Sequence, residues 1–568
     1  MAVQQTFHRL FSVFESVLRF IGNHPLTVLV LPSAWFMARY LPFWKDADVL
    51  VQLVWPISVD NVLVCPPIYC VLGRIPFWVT DTAIYGRAPG IFLSQHPSLV
   101  GVYALVICQH VGLWLALRYF LFSVPASAPG RGIAALLLAS VASFYSFAHT
   151  AGAEAMYAIT WFAVFGAGIR LLSRPGSGRA WAVYGLALFL SIGSRHISGL
   201  LLGWLPVTAV VLIGLNWLQP SATPIRARGS RAAGLKSDYS TKEAGSWRLT
   251  HAPYKGSRGR VPENSLFKVA IIALVISASA LTFERLAVAG LCQHFGITAR
   301  NILGRTLSDR ISKFVDSLGP EEKAKLISRV SALTSDPDVR IAIESQVRIG
   351  TFYMGTADAI ARALAGRGLS GQELQVEQDR IILQATTCFY RTLDPRFLTI
   401  ILKDIWRGFY PTNDQGIALT GPKSVFASVE LIERTPVPWA GLRELPIFEP
   451  SVAQATMHKA DHDNFIRHWR WIPVLGWCLL FGGIGSVRWL RGRFSSGLFV
   501  TGLTIFGIGL LAYAATCVFN YSMPRYALPL LISIFACGTI FVVAEERWKV
   551  HRFECKPPQE EQNSIFTP

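Results

Sequence analysis

About ten stretches of this sequence are apolar over the roughly 17–25 residues that an α-helix needs to cross a bilayer. Inside lipid, every backbone N–H and C=O group must find its partner within the protein, so uniformly apolar segments of this length are predicted to be helices. The sequence therefore predicts an all-α polytopic membrane protein. The predicted spans lie near residues 24–43, 99–122, 131–148, 152–172, 180–195, 197–218, 266–289, 471–490, 496–519 and 525–544.

Composition and charge fit this class. Of 568 residues, 52% are hydrophobic and 15% are charged, whereas soluble globular proteins have about 25% charged residues. The net charge of +18 would suggest nucleic-acid binding in a soluble protein. In a membrane protein, basic residues instead mark one side of the bilayer, so we expect no nucleic-acid partner. The nine cysteines include no Cys-x-x-Cys pair, which argues against structural zinc.

Basic residues are distributed unevenly between alternate loops, and this predicts the orientation. Residues 219–265 hold nine Lys and Arg against three acidic residues and are rich in Ser, Gly and Pro, which is typical of a disordered cytoplasmic loop. The loop at 44–98, on the opposite side, holds three basic residues against four Asp. Both termini are therefore predicted to be cytoplasmic, with the loop 44–98 on the external face of a plasma membrane, the inner membrane in a bacterium.

Residues 290–470 interrupt the membrane pattern. They contain no run of spanning length but show helical periodicity, with Ser308 and Ser335 as expected helix N-caps, so we predict a mainly helical external domain. The stretch 389–410 is amphipathic and is expected to lie on the membrane surface. The predicted parts are an interfacial amphipathic helix at 1–23, an N-terminal membrane module at 24–289, the external domain at 290–470, C-terminal transmembrane helices at 471–545 and a cytoplasmic tail at 546–568.

Four aspartates lie in the loop 44–98. Asp81 is expected to mark the end of a span and to lie in water. Asp46 and Asp48 precede an apolar, aromatic-rich stretch that contains Asp60 and is expected to lie along the outer leaflet. A carboxylate there could act as general base on an acceptor hydroxyl. Alternatively, the Asp-x-Asp spacing could ligate a divalent cation such as Mg²⁺ or Mn²⁺, which would neutralise a departing phosphate.

Four short motifs follow one another along the predicted spans, all at their external ends. They are CPPIYCVLGRI at 65–75, Ala153–Glu154 at the start of the span 151–174, Ser194–Arg195–His196 within the glycine-rich stretch 184–206, and Arg525–Tyr526 at the start of the last span. In this order, they resemble motifs of the GT-C membrane glycosyltransferases. That superfamily includes protein O-mannosyltransferases, aminoarabinose transferases and many bacterial enzymes that use polyprenyl-phosphate sugars.

The resemblance covers most of residues 24–218 and the final spans, and scarcely covers 290–388. The sequence departs from the family pattern at Cys65, where histidine is usual, and at Ala153, where serine is usual. The fold implied by the resemblance is a GT-C-like bundle of about ten transmembrane helices with an external domain.

The resemblance also implies an activity. A sugar would pass, by an inverting mechanism, from a polyprenyl-phosphate donor lipid to a glycan, lipid or protein acceptor on the external face. Asp48 or Asp46 would be the catalytic carboxylate, and we favour Asp48 because it lies deeper in the apolar loop. Arg195 and Arg525 would bind the phosphate. The other residues expected to contact substrate are Asp60, Tyr69, Glu154, His196 and Tyr526.

Several of these residues also have a purely structural interpretation. Arg195 and Arg525 could extend towards the lipid headgroups. Glu154 could pair with an arginine or cap a helix, and Tyr526 could belong to an aromatic belt.

Two other classes of function fit the same composition. A transporter or flippase of a lipid-linked or anionic substrate would also gather arginines near one face, but should have paired broken helices in matching halves. A non-catalytic scaffold would use the external domain to bind a partner, and its aspartates would be dispensable.

The predicted topology can be tested by reporter fusions or cysteine labelling at Gly234 and Gly371. Because the positive-inside rule places the basic loop in the cytoplasm, the two sites should report opposite sides of the membrane. The same side for both would refute the topology.

Overall fold

A computed structural model describes residues 2–44, 49–57, 67–86, 89–218, 263–294, 296, 303–349, 353–392, 394–409, 444–446, 448–457, 474–492, 494–519 and 527–545. In these residues the chain is all-α, since almost all regular structure is helical, and several helices have the length and apolar composition of a multi-pass membrane protein. The two strands that accompany the helices, β1 (Phe43–Trp44) and β2 (Thr150–Ala151), have two residues each and pair in parallel.

The N-terminal part is a bundle of apolar helices. Its helices are α1 (Ala2–Asn23), α2 (Leu26–Arg39), α3 (Pro67–Leu72), α4 (Ile75–Tyr85), α5 (Leu99–Leu121), α6 (Ala128–Ala139), α7 (Ala142–Ala148), α8 (Glu154–Ser173), α9 (Gly178–Ile192), a 3-10 helix (His196–Gly203), α10 (Trp204–Leu218) and α11 (Glu263–His294). A π-helical turn covers Leu50–Val54.

Five described helices are long and apolar enough to cross a membrane, and a sixth span is formed if one bent pair is counted. The five segments are Leu99–Leu121, Glu154–Ser173, Ile197–Leu218, Asn264–His294 and Ser496–Val518. Four further predicted spans coincide with shorter apolar helices, which are Leu26–Arg39, Gly178–Ile192, Val474–Leu490 and Leu528–Val543. The described structure thus supports five or six spans by length and composition.

The predicted span at 131–148 is formed by two helices, α6 and α7. α6 and α7 meet at a bend of 61°. Val141, between them, has a ψ of 84°, outside the helical range, so the chain turns before α7 begins. Beyond the bend, α7 runs to Ala148, and only His149 separates it from β2.

Small residues let the membrane helices approach one another closely. A Cβ atom added to Gly132 of α6 would lie 2.1 Å from the carbonyl oxygen of Leu18 in α1, and one added to Gly168 of α8 would lie 2.2 Å from the Trp204 ring. Van der Waals packing of this kind is a main source of helix association in lipid. The membrane helices share one core, in which Trp161 and Trp204 are the largest fully buried apolar side chains.

A second group of helices forms its own core. It comprises α12 (Leu303–Asp316), α13 (Pro320–Ser331), α14 (Pro337–Ile349), α15 (Tyr353–Ala365), α16 (Gly371–Arg391) and α17 (Pro395–Phe409). Both expected N-caps are wrong. Ser308 lies inside α12, and α14 is capped by Asp336, whose Oδ1 accepts from the N–H groups of Asp338 and Val339.

After the second core, the described residues contain three apolar helices and one short helix. They are α18 (Phe448–Met457), α19 (Val474–Leu490), α20 (Ser496–Phe519) and α21 (Leu528–Val543). The second core is anchored to α20 by two tyrosines, because the Tyr513 hydroxyl donates to the Asp404 carbonyl at 2.8 Å and the Tyr390 hydroxyl donates to the Val518 carbonyl at 2.7 Å. Asp404 also forms a buried ion pair with Arg310.

The loop between α2 and α5 is organised by the guanidinium group of Arg74. This fully buried side chain donates to four backbone carbonyls, at 2.6–3.3 Å, which belong to Gln52, Trp55, Ile91 and Leu93. Burial lowers the pKa of Arg74 to about 10, so the group remains charged at neutral pH. One side chain thus connects both halves of the loop.

The expectation for Asp81 is wrong. Its carboxylate is buried and accepts hydrogen bonds from the hydroxyl and the N–H of Ser98, the N-cap residue of α5. The carboxylate therefore fixes the start of a membrane helix, where it also faces the positive end of the helix dipole.

Replacing Arg74 by Met should lower the free energy of unfolding by about 3 kcal/mol, because charge-assisted bonds from a buried side chain to four backbone carbonyls are lost. Arg74→Lys should restore little, since an ammonium cannot reproduce the fork of donors. Hydrogen exchange within 49–57 and 89–95 should accelerate. Arg19→Met, which removes an exposed ion pair with Glu15, is the matched control and should change little. Unchanged exchange in Arg74→Met would contradict this role.

Candidate functional site

Tyr69 is buried in α3, where it connects this helix to two membrane helices. Its N–H donates to the carbonyl of Gly193 at 3.1 Å, and its hydroxyl donates to Oε1 of Gln109 at 3.2 Å. A Cβ atom at position 193 would lie 2.0 Å from the Ile68 side chain, so glycine permits this approach. Burial raises the pKa of Tyr69 far above its usual value, which keeps the hydroxyl protonated and able to donate.

Gln109 is a polar residue in the middle of the apolar helix α5, ten residues and so about 15 Å beyond its start. Its amide nitrogen donates to the carbonyls of Ala148 at 3.0 Å and Thr150 at 2.9 Å. With the bond from Tyr69, both amide donors and the amide oxygen have partners. This one side chain connects α5, α3, the end of α7 and β2.

Glu154 and Arg195 form an ion pair close to Tyr69. The Arg195 guanidinium donates from Nη2 to Oε1 of Glu154. Glu154 is the first residue of α8 and is buried, so its charge is stabilised both by the arginine and by the helix dipole. The Arg195 side chain is 21% exposed. Its positive charge offsets part of the rise in the pKa of the Tyr69 hydroxyl that burial causes. Three predicted substrate-binding residues therefore lie together.

The strand β1 lies beside this cluster and leads towards the proposed catalytic aspartates. Phe43 is paired with Thr150, and Trp44 with Ala151, three residues before Glu154. Trp44 and Val49 bracket residues 45–48 and are both buried in one small core, which also contains Tyr69.

A segment far along the chain covers β1. The indole N–H of Trp44 donates to the Pro446 carbonyl at 2.9 Å, and the N–H of Leu41 donates to the side chain of Gln454 in α18 at 2.7 Å. The predicted external part of the chain therefore contacts the candidate site directly.

Several predicted site residues lie outside the described residues. They are Asp46, Asp48, Asp60, Arg525, Tyr526 and the side chain of His196, whose backbone begins the 3-10 helix. Within the described part of the chain, no group of three or more His, Cys, Asp and Glu residues could hold a metal ion.

Sequence reasoning missed Gln109 and two neighbouring histidines, His110 and His149, which are also buried. All three lie in or at the end of apolar helices, where polar side chains are costly unless they face the protein interior. That signal was present in the sequence and could have identified them. Their partners, which are distant in sequence, could not have been identified in this way.

Comparison with known proteins finds no matching family model and no matching curated protein. The GT-C resemblance therefore rests on the motifs alone.

Replacing Glu154 by Gln removes a charge at constant volume and should lower the free energy of unfolding by about 1–3 kcal/mol, because Arg195 loses a charge-assisted bond. In denaturant unfolding, the double variant Glu154→Gln/Arg195→Met should cost less than the sum of the single changes. Glu344→Gln, at an exposed pair with Arg348, is the control and should be nearly neutral. Strict additivity would show that the pair is not coupled.

Proposed function

We propose that the protein is an integral-membrane glycosyltransferase of the GT-C type, with about ten transmembrane helices and cytoplasmic termini. It takes a sugar from a polyprenyl-phosphate donor and transfers it to an acceptor on the external face. The acceptor is a glycan, a lipid or a protein, and the membrane is the plasma membrane.

The observation that carries this proposal is the cluster formed by Tyr69, Gln109, Glu154 and Arg195 beside β1. Three of these four residues belong to the motifs on which the resemblance rests. Asp46 and Asp48 lie in the sequence between Trp44 and Val49. Both of these flanking residues are buried in the core that also contains Tyr69. Glu154 and Arg195 thus lie near the residues that flank the acidic segment, and this supports the proposal that Asp46 and Asp48 act together with Arg195.

In the proposed reaction, a carboxylate of the loop accepts the proton of the acceptor hydroxyl. The acceptor oxygen then attacks the anomeric carbon of the sugar, and the bond from that carbon to the phosphate oxygen breaks. The electron pair leaves with the polyprenyl phosphate, whose developing negative charge is stabilised by arginine. A guanidinium group has five N–H donors, so the bond from Arg195 to Glu154 is compatible with additional acceptors.

Glu154 has a defined part in this arrangement. Its carboxylate orients the Arg195 guanidinium before substrate arrives, as preorganisation requires. Arg525 is proposed as a second phosphate ligand, with Asp60, His196 and Tyr526 as further contacts. A divalent cation, Mg²⁺ or Mn²⁺, would bind to Asp46 and Asp48 if the reaction uses one.

The transporter alternative requires broken helices in matching halves of the bundle. Among the described helices, one pair is bent at a short break, α6 with α7. One bent pair does not make two matching halves, so we favour the enzyme.

The proposal is tested by measuring sugar transfer from polyprenyl-phosphate sugars in purified, folded protein. Asp48→Asn should lower the rate by about 10²–10⁴-fold, since it removes a general base and keeps the volume. Asp46→Asn should have the smaller effect unless a metal is used. If the reaction uses a metal, both variants should lose transfer activity, and removal of the metal with a chelator should have the same effect.

Asp358→Asn, an exposed position in α15, is the matched control and should transfer normally. Near wild-type transfer by the double variant Asp46→Asn/Asp48→Asn would eliminate the proposed site.

A further inference from the structure

Two buried histidines form the centre of a continuous hydrogen-bonded chain next to the candidate site. Nε2 of His110 lies 3.4 Å from Nδ1 of His149, and Nδ1 of His110 lies 2.8 Å from the Ser33 hydroxyl. The far nitrogen of His149 lies 3.0 Å from the Tyr40 carbonyl, and the Trp114 indole N–H donates to Ser33 at 2.7 Å. Both imidazoles are fully buried.

The two ends of this chain assign its direction. The Tyr40 carbonyl only accepts, so Nε2 of His149 carries a proton and donates to it. Nδ1 of His149 is then an acceptor for the Nε2–H of His110, whose Nδ1 in turn accepts from the Ser33 hydroxyl. Ser33 accepts from the indole of Trp114. Every group is satisfied with both histidines neutral.

The same two ends rule out a proton relay along this chain. An indole N–H only donates, and a backbone carbonyl only accepts, so neither Trp114 nor Tyr40 can take up a proton and pass it on. The hydrogen bonds therefore run in one fixed direction, and their role is to hold the bonded groups in place.

The hydrogen-bonded chain positions the segment that leads into β1. His149 holds this segment at two places, because its side chain donates to the Tyr40 carbonyl and its own carbonyl accepts from the N–H of Phe43. Its ring also packs against the rings of Phe36 and Phe43, with centroids 5.8 Å away in each case. The contacts therefore extend from α2 through Tyr40 to the first residue of β1.

We propose that Ser33, His110 and His149 are positioning residues that fix β1 in register beside β2. This inference rests on the proposed function in one respect, namely that β1 leads into the catalytic loop. A hydrophobic trio could fill the same volume at lower cost, because buried polar groups must be fully bonded to be tolerated. Ser33, His110 and His149 instead provide a directional hydrogen bond to the Tyr40 carbonyl. This bond gives the strand one defined position.

Two variants at position 149 separate the hydrogen bond from the packing. His149→Phe keeps a ring between Phe36 and Phe43 but removes the donor. His149→Gln places an amide nitrogen at the same number of bonds from Cβ as Nε2, so it can still donate to Tyr40. The matched control is Thr208→Val, which removes a partly buried hydrogen bond of 2.9 Å to Thr504, in a different part of the bundle.

The first readout is hydrogen exchange at the Phe43 amide in full-length protein in lipid nanodiscs. His149→Phe should exchange roughly tenfold faster than wild type, because the strand loses one of its anchoring bonds. His149→Gln should recover most of the protection, and Thr208→Val should match wild type at this amide. Unchanged exchange in His149→Phe, or equal exchange in both position 149 variants, would overturn the proposal.

The second readout is the kinetics of sugar transfer. His149→Phe should lower kcat with little change in KM for the donor lipid, because the loop is displaced but the donor site is kept. His149→Gln should restore kcat. A loss confined to KM would contradict positioning of the catalytic loop. If wild-type protein transfers no sugar while the exchange results hold, then the proposed function fails and the positioning role stands.

Discussion

Polar side chains at membrane depth must be bonded within the protein, and this constraint shapes the candidate site. Gln109 and His110 are neighbours in the middle of α5, where neither has access to bulk water. Gln109 therefore bonds to the end of α7 and to β2, and His110 bonds to His149, which holds the segment before β1. Two adjacent polar residues on one helix thus position both strands of the pair, and with them the approaches to Glu154 and to the loop at 45–48.

The helices were largely predictable from sequence, and their interruptions were not. Long apolar runs such as 99–122 became helices because backbone polarity leaves no alternative in lipid. The bend between α6 and α7 occurs in a stretch without Pro or Gly at the break, so local sequence carries no signal for it. Asp81 was misjudged for a similar reason, since its partner Ser98 is distant in sequence and its burial depends on tertiary packing.

The candidate site was predictable in its residue types but not in its pairing. The motifs predict Tyr69, Glu154 and Arg195 as site residues, and the structure brings these three together. The motifs do not predict the role of Gln109, which connects Tyr69 to β2, or the contact of Trp44 with Pro446. Both depend on long-range packing. The second contact links the part of the chain after the second core to β1, so a change in that region can alter the position of the strand before the acidic loop.

The proposed function requires that this polar cluster binds the phosphate of a polyprenyl-linked sugar. The most direct measurement is an electron cryomicroscopy structure of the protein in nanodiscs with a polyprenyl-phosphate sugar bound. We expect density for the phosphate within hydrogen-bonding distance of the Arg195 guanidinium, with the sugar facing the loop between Trp44 and Val49. A lipid phosphate bound at the opposite end of the helix bundle, near the arginines that follow α8, would contradict it.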